Sequence, residues 1–142
     1  MLLDLSSFEK ALDSLRTALR VYESTEKSPE TSTDKVIERE MMRDGIIQRF
    51  EYTFELSWKM LKRYLEMYGL EKPDGFSAKQ LFRVGFERGL LREVEPWFVY
   101  LENRNHTSHT YNAETAERVY NVAKDFLQDA EFLLTKLQEK AT

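Results

Sequence analysis

The sequence of 142 residues contains no cysteine, only two histidines and only three prolines. The lack of cysteine excludes disulfide bonds, thiolate metal sites and a cysteine nucleophile. No segment approaches the roughly 20 consecutive apolar residues that a membrane-spanning helix needs. The first residues lack the basic and apolar regions of a signal peptide. These absences predict a cytoplasmic protein that does not associate with membranes.

The balance of charge and the missing motifs narrow the function further. The formal net charge is −4, so the chain as a whole lacks the positive field typical of proteins that bind nucleic acid. Any contact with RNA must therefore depend on a local patch or on a cleft between two copies. The sequence has no glycine-rich phosphate loop, no paired aspartates of a nucleotidyltransferase, and no His, Asp and Glu cluster with metal-ligand spacing. We expect neither a metal nor a cofactor.

Apolar residues recur at intervals of three and four, and no strand-like alternation persists. This pattern predicts helices at about 4–23, 34–70, 77–89, from Pro96 into the motif described below, and 112–139. The stretch 24–32 is predicted to be an exposed loop that could order against a partner. Five amphipathic helices with short joints predict an all-α protein, an antiparallel up-and-down bundle of about five helices that forms one domain over residues 1–142.

Several helix ends carry recognisable capping residues. Asp34 and Asn112 are expected N-caps of the second and fifth helices. Ser77 with Gln80 has the spacing of a capping box at the third helix. Gly69 is expected to end the second helix.

Both histidines fall in the short run from Arg104 to Tyr111. Arginine stays charged and presents a planar set of donors that suits phosphate. A neutral histidine can take a proton from a ribose hydroxyl and return it. Arg104 and His109 could therefore hold a phosphodiester and move a proton without a metal. A helix that simply ends in polar residues would give the same composition.

The spacing within this run predicts a break in the helix. Five residues of an ideal helix rotate a side chain by about 140° net, so Arg104 and His109 would point apart on a straight helix. Poor helix formers fill the run, namely Asn103, Asn105, Thr107 and Ser108. His109 and Tyr111 are then expected on a turn before the fifth helix. The free amide donors at the N-terminus of that helix would add to an anion site.

The pattern Arg-x-x-x-x-His-x-Tyr, formed by Arg104, His109 and Tyr111, resembles the signature of the HEPN superfamily. Within it, the chain is similar to the small helical proteins called nucleotidyltransferase substrate-binding proteins. The similarity covers about residues 5–135 and is carried by the stretches 104–111, 48–59 and, more weakly, 78–91 with Trp97.

This resemblance implies a subunit that works with a minimal nucleotidyltransferase. In the toxin branch of the family, the HEPN subunit is a metal-independent ribonuclease, which implies catalytic roles for Arg104 and His109. There the partner silences the ribonuclease by attaching AMP to the motif tyrosine, which corresponds to Tyr111. The ligand would be RNA, for example tRNA, or a nucleotide. Alternatively, Tyr111 packs on the turn with its hydroxyl bonded to backbone.

Five further residues are candidates for supporting the motif or contacting a partner: Glu51, Glu55, Asn105, His106 and Ser108. Glu51 and Glu55 border the apolar stripe of the second helix and could orient Arg104 across the bundle. Alternatively, they form a solvated helix edge on which Glu55 pairs with Lys59. His106 could be a second base or ligand, although the signature leaves its position free. Trp58 and Trp97 are predicted to be core residues.

Three hypotheses for the function remain open on sequence alone. In the first, a homodimer brings two motifs to one cleft and cleaves RNA to a 2′,3′-cyclic phosphate. In the second, the chain is a non-catalytic subunit that presents a substrate, or itself, to a nucleotidyltransferase. In the third, it is a structural helical dimer. The first two need the same anion site, so the sequence does not separate them.

Overall fold

The computed structural model describes residues 3–26, 32–68 and 72–141. These residues form five α-helices and no β-strand, which confirms the predicted all-α class. The helices are α1 (Ser6–Glu26), α2 (Thr33–Met67), α3 (Ala78–Glu87), α4 (Glu95–Asn105) and α5 (Ala113–Lys140). A single turn of 3₁₀ helix, Thr107–His109, joins α4 to α5.

The bundle is organised around α2, which packs against each of the other four helices. The long helices α1, α2 and α5 pack pairwise against one another. Helix α1 runs antiparallel to both α2 and α5. Helices α2 and α5 run parallel to each other, as the second and fourth helices of an up-and-down bundle do. The shorter α3 and α4 pack against α2 and against each other, and α4 also packs against α5. In the described part of the chain, α1 contacts neither α3 nor α4. The functional motif therefore follows a helix that is held on two sides.

Aromatic rings fill the space between α2, α4 and α5. Phe50, Phe54, Trp97 and Phe126 are all at most 1% exposed. The ring centroids of Phe50 and Phe126 lie 5.2 Å apart, and those of Trp97 and Phe126 lie 5.7 Å apart, both pairs edge to face. This geometry adds to the stabilisation from burial alone. The predicted core position of Trp97 is confirmed, and the first turn of α4 is firmly anchored.

The predicted helix ends are partly confirmed. Ser77 and Gln80 form the reciprocal capping box, and Asn112 caps α5. The N-cap of α2, however, is Ser32, whose hydroxyl accepts from the backbone N–H of Lys35. Asp34 lies in the first turn instead, so that prediction was wrong by two residues. The predicted stop at 69 and most of the predicted loop, 27–31, lie outside the described residues.

The buried carboxylate of Asp129 on α5 holds Tyr100 of α4 and the more exposed Arg92. The Tyr100 hydroxyl donates to Asp129 Oδ2, and Arg92 Nη2 donates to Asp129 Oδ1 at 2.6 Å. Tyr100 is 3% exposed and Asp129 is 8% exposed. Each carboxylate oxygen thus has a donor, which a buried charge requires. Because Tyr100 lies one turn before Arg104, its hydrogen bond to Asp129 also fixes the part of α4 that carries the motif.

We expect the free energy of unfolding to fall above about pH 10, more steeply in the natural chain than in Tyr100→Phe. Burial raises the pKa of Tyr100 well above its ordinary value of 10.0, and the hydrogen bond and charge of Asp129 raise it further. Above that pH the unfolded chain loses this proton while the folded chain keeps it. Each further pH unit then costs about 1.4 kcal/mol. Urea unfolding of both proteins across this range measures the difference; parallel curves would contradict the assignment.

Candidate functional site

The backbone breaks between the two key residues of the motif. Helix α4 ends at Asn105, and His106 is its C-cap. The 3₁₀ turn follows, in which the His109 N–H donates to the His106 carbonyl at 3.0 Å. The Asn112 N–H then donates to the His109 carbonyl at 3.2 Å before α5 begins. The predicted break is confirmed, and it frees His109 from the orientation that a continuous helix would impose.

Arg104 is held by side chains on two elements. Its Nε donates to Glu55 Oε1 at 3.1 Å, and its Nη1 donates to Thr107 Oγ1 at 3.2 Å. Its Nη2 lies 3.7 Å from Glu51 Oε1, within ion-pair range but too far for a hydrogen bond. The Arg104 side chain is 28% exposed. The second N–H of Nη1 and both of Nη2 make no hydrogen bond with a described residue, although Glu51 faces Nη2 within ion-pair range.

Glu55 is itself positioned by a residue that the sequence did not reveal. Trp58 Nε1 donates to Glu55 Oε2 at 3.2 Å, so the two carboxylate oxygens have one donor each. Trp58 is partly buried and packs against the hydrophobic core, so it lies at the edge of the core in which it was predicted. Glu55 pairs with Arg104 rather than with Lys59. Sequence spacing offered one clue, because residues three apart on a helix are neighbours.

Thr107 and Asn103 are buried polar residues that the sequence analysis treated only as helix breakers. The Thr107 hydroxyl donates to the Arg104 carbonyl at 2.9 Å while it accepts from the Arg104 side chain. It therefore ties the guanidinium to the backbone at the end of α4. Asn103 Nδ2 donates to the Val99 carbonyl at 2.9 Å, whereas its Oδ1 is buried without a partner among the described residues.

The rings of His106, His109 and Tyr111 form a row. The centroid of His109 lies 6.3 Å from that of His106 and 6.3 Å from that of Tyr111. His109 is exposed, and its imidazole makes no hydrogen bond with a described residue. Tyr111 is 87% exposed, so it is not packed on the turn. Asn105 and Ser108 are also exposed. The imidazole and the phenol are both accessible to a ligand or an enzyme.

The N-terminus of α5 differs from the expectation of free amide donors. The Asn112 side chain accepts from the N–H groups of Glu114 and Thr115, at 2.9 and 3.2 Å. Two of the donors that could have bound a phosphate are therefore occupied, and Glu114 places a carboxylate in the same turn. An anion site here depends mainly on the Arg104 side chain, because α5 contributes less than the sequence predicted.

Residues 3–26, 32–68 and 72–141 contain no group of three or more His, Asp and Glu side chains placed to hold a metal ion. None of their helices combines the length and the apolar character needed to cross a membrane.

Similar proteins are found both among named sequences and among solved structures. A Haemophilus influenzae protein named probable ribonuclease HepT is 39% identical over 98 residues, which are 68% of this chain and 67% of that protein. A solved structure described as revealing the fold of a substrate-binding domain of a nucleotidyltransferase, also from Haemophilus influenzae, has a TM-score of 0.84. It is 31% identical and covers 95% of this chain and 99% of its own. A crystal structure from Thermus thermophilus has a TM-score of 0.63 at 32% identity, covering 87% and 98%.

The model of one protein family, described as nucleotidyltransferase substrate binding protein like, matches residues 3–139. That match covers nearly the whole sequence, and it agrees with the resemblance carried by Arg104, His109 and Tyr111. The chain belongs to the nucleotidyltransferase substrate-binding protein family.

Proposed function

We propose that this protein is a metal-independent endoribonuclease whose activity is controlled by a nucleotidyltransferase partner. The observation that carries the proposal is the hydrogen bonding of the Arg104 side chain. Its Nε donates to Glu55, its Nη2 makes no hydrogen bond with a described residue and lies 3.7 Å from Glu51, and an exposed His109 follows across a break in the helix. The similarity to a protein named a probable ribonuclease also supports ribonuclease activity.

The chemistry assigned to His109 is proton transfer. The neutral imidazole takes the proton of a ribose 2′-hydroxyl, and the 2′-oxygen attacks the adjacent phosphorus. The bond from phosphorus to the 5′-oxygen breaks, and that oxygen takes up a proton from the imidazolium, directly or through water. The products are a 2′,3′-cyclic phosphate and a free 5′-hydroxyl. No metal enters this balance.

The chemistry assigned to Arg104 is charge stabilisation. Negative charge grows on the non-bridging phosphate oxygens as the 2′-oxygen attacks, and fixed donors aimed at that charge lower the barrier. Glu55 accepts from Nε and Thr107 accepts from Nη1, which leaves the second N–H of Nη1 and both of Nη2. Because Glu55 and Thr107 hold the guanidinium in one orientation, its remaining N–H donors can bind the phosphate with little further loss of side-chain entropy.

The homodimer expected from the sequence remains part of the proposal. Helix α2 exposes Val36, Ile37 and Met41 by 47%, 48% and 68% of their surface. Exposed apolar side chains grouped on one helix favour contact with another protein surface. A second copy would also bring a second Arg104 and so raise the local positive charge. Sedimentation at micromolar concentration is expected to show a dimer, and a monomer at all concentrations would contradict it.

Tyr111 is the proposed site of control. Its hydroxyl oxygen would attack the α-phosphorus of ATP on the partner transferase, with release of pyrophosphate and of the phenolic proton. The exposure of 87% leaves room for this reaction. The attached phosphate would carry negative charge beside Arg104 and His109 and occupy the place of the RNA phosphate.

The family description favours a second candidate function, a non-catalytic subunit that presents Tyr111 or a substrate to the transferase. Incubation of the purified free chain with RNA in the presence of EDTA separates the two. We expect cleavage without added metal. A strict need for magnesium would contradict the proposed mechanism, and no cleavage at any protein concentration would favour the non-catalytic subunit.

Trp58→Phe is expected to lower RNA cleavage by about tenfold or less, because it removes one hydrogen bond to the charged Glu55 and retains the ring. Glu55→Ala should lower it further, since Arg104 then loses its Nε partner. Glu55→Gln retains an acceptor and should recover much of the loss. Steady-state kinetics measure these effects, and thermal unfolding serves as the control. If all three variants cleaved RNA as fast as the natural chain, a positioning role for Glu55 and Trp58 would be excluded.

A further inference from the structure

A second cationic surface lies where α3 meets α4, outside the motif. The ring of Phe98 is partly buried on α4. Lys79 Nζ lies 5.4 Å from its centroid and Arg83 Cζ lies 5.2 Å from it. The two cations are four residues apart on α3, so they occupy one face of that helix. This is a cation–π arrangement at the protein surface.

A depression opens beside the ring, and we call it the Phe98 pocket. Its volume is about 320 Å³, at the lower end of the range for small-ligand sites, about 300–1,000 Å³. The pocket is lined by Lys79, Phe98, Val99, Leu101, Glu102 and Asn105. It therefore offers an aromatic surface, apolar walls, one amide and charges of both signs.

The Phe98 pocket leads toward the motif. Asn105 is seven residues after Phe98, two helical turns, and so lies within about 20° of the same face of α4. Arg104 is next to Asn105 and lies about 120° around the helix axis from Phe98. It follows Phe98 by six positions, which is about 9 Å along the axis. A ligand that extends from Arg104 to the pocket would therefore pass over Asn105 at the end of α4.

The cations of this surface are not neutralised by neighbouring carboxylates. Lys79 and Arg83 form no ion pair with any residue in the ranges that the structure describes, and both are exposed. Unpaired cations beside an aromatic ring are notable on a chain whose net charge is −4. Glu102 lies on the lining, so phosphates would be drawn to the α3 side and away from that carboxylate.

We infer that the Phe98 pocket binds a base of single-stranded RNA beyond the two nucleotides that flank the scissile phosphate. The base replaces Lys79 and Arg83 over the Phe98 ring, and its edge reaches the Asn105 amide. The two displaced cations contact the adjoining phosphates. Aromatic platforms interleaved with cations are the usual construction of single-strand sites. This inference rests on the proposed ribonuclease function. An aromatic ring beside two cations favours RNA over an acidic protein segment, because such a segment would use the cations and not the ring.

The test measures binding separately from cleavage. The probe is a fluorescein-labelled RNA octanucleotide with 2′-O-methyl groups, which lacks the hydroxyl needed for cleavage. Phe98→Leu retains an apolar side chain but removes the ring, and we expect it to weaken binding by about 5- to 100-fold. Lys79→Gln combined with Arg83→Gln should make the salt dependence of log K shallower by about 1.4, since each lost phosphate contact accounts for about 0.7. Fluorescence anisotropy over a salt series gives both values.

The matched control removes the same charge elsewhere. Lys10→Gln with Arg20→Gln changes two exposed cations on α1, which does not contact α3 or α4 within the described residues. This double variant should bind the octanucleotide as the natural chain does, with an unchanged salt slope. The double variant Lys79→Gln with Arg83→Gln alters only exposed side chains. It therefore still tests RNA binding at the pocket if Phe98→Leu is poorly folded.

The outcomes separate this inference from the proposed function. If the natural chain binds the octanucleotide and the variants weaken it, the pocket stands even where no RNA is cleaved. Where cleavage occurs, the variants should raise KM for a natural octanucleotide and leave cleavage of a ribodinucleotide unchanged. No binding of the octanucleotide by the natural chain, or equal binding and salt slope in all variants, would overturn the pocket. Loss of transferase binding with RNA binding intact would overturn it in favour of a protein surface.

Discussion

Replacing His109 by alanine is expected to reduce RNA cleavage by about 10²–10⁴-fold, the usual contribution of a general acid–base group. His109 is exposed and has no hydrogen-bonding partner among the described residues, so its loss should leave the bundle intact. Arg104→Ala should have an effect of similar size through the loss of charge stabilisation. Single-turnover cleavage of a defined RNA, with circular dichroism to verify folding, measures both.

The neighbouring histidine provides a matched control. His106 lies three residues before His109 and its ring centroid is 6.3 Å away, but it caps α4 and falls outside the motif. His106→Ala should therefore retain activity within a few-fold. Full activity in His109→Ala, or an equal loss in both variants, would contradict the assignment of the base.

Tyr111→Phe is expected to abolish the mass gain that the natural chain shows after incubation with its cognate transferase, ATP and Mg²⁺. The variant retains the ring and lacks only the oxygen that would accept AMP. Intact-mass spectrometry should show one or more AMP units on the natural chain and none on Tyr111→Phe. The same reaction should inhibit RNA cleavage by the natural chain only.

Tyr52 offers a control for the specificity of this modification. It is also a surface tyrosine, 38% exposed, but its hydroxyl is bonded to Ser14. Tyr52→Phe should gain AMP as the natural chain does. A gain that persists unchanged in Tyr111→Phe would place the modification on another residue.

Hydrophobic periodicity was sufficient to predict the number, type and approximate bounds of the helices. Long amphipathic stripes such as that of α5 leave few alternatives, because each has one apolar face to bury. Capping was less predictable. Ser32 and Asp34 are both suitable N-caps by type, and only the backbone conformation, extended at Ser32, distinguishes them.

The sequence predicted the local backbone of the candidate site, but it did not predict which distant residues contact the motif. The spacing of Arg104 and His109 implied the break in the helix, because five residues do not bring two side chains to one face. The two carboxylate partners of Arg104 lie about fifty positions away on α2, so periodicity placed Glu51 and Glu55 at the border of an apolar stripe without showing which of them bonds Arg104. The hydrogen bond from Trp58 to Glu55 was not predicted. A tryptophan in an apolar stripe packs its ring against the core whether or not its N–H group has an acceptor.

The most direct measurement is the end group left on RNA cleaved by the purified free chain in EDTA. The proposed mechanism predicts a 2′,3′-cyclic phosphate and a 5′-hydroxyl, and it predicts no cleavage where the 2′-hydroxyl at the cut site is replaced by hydrogen. Products bearing a 5′-phosphate, or undiminished cleavage of the 2′-deoxy substrate, would contradict it.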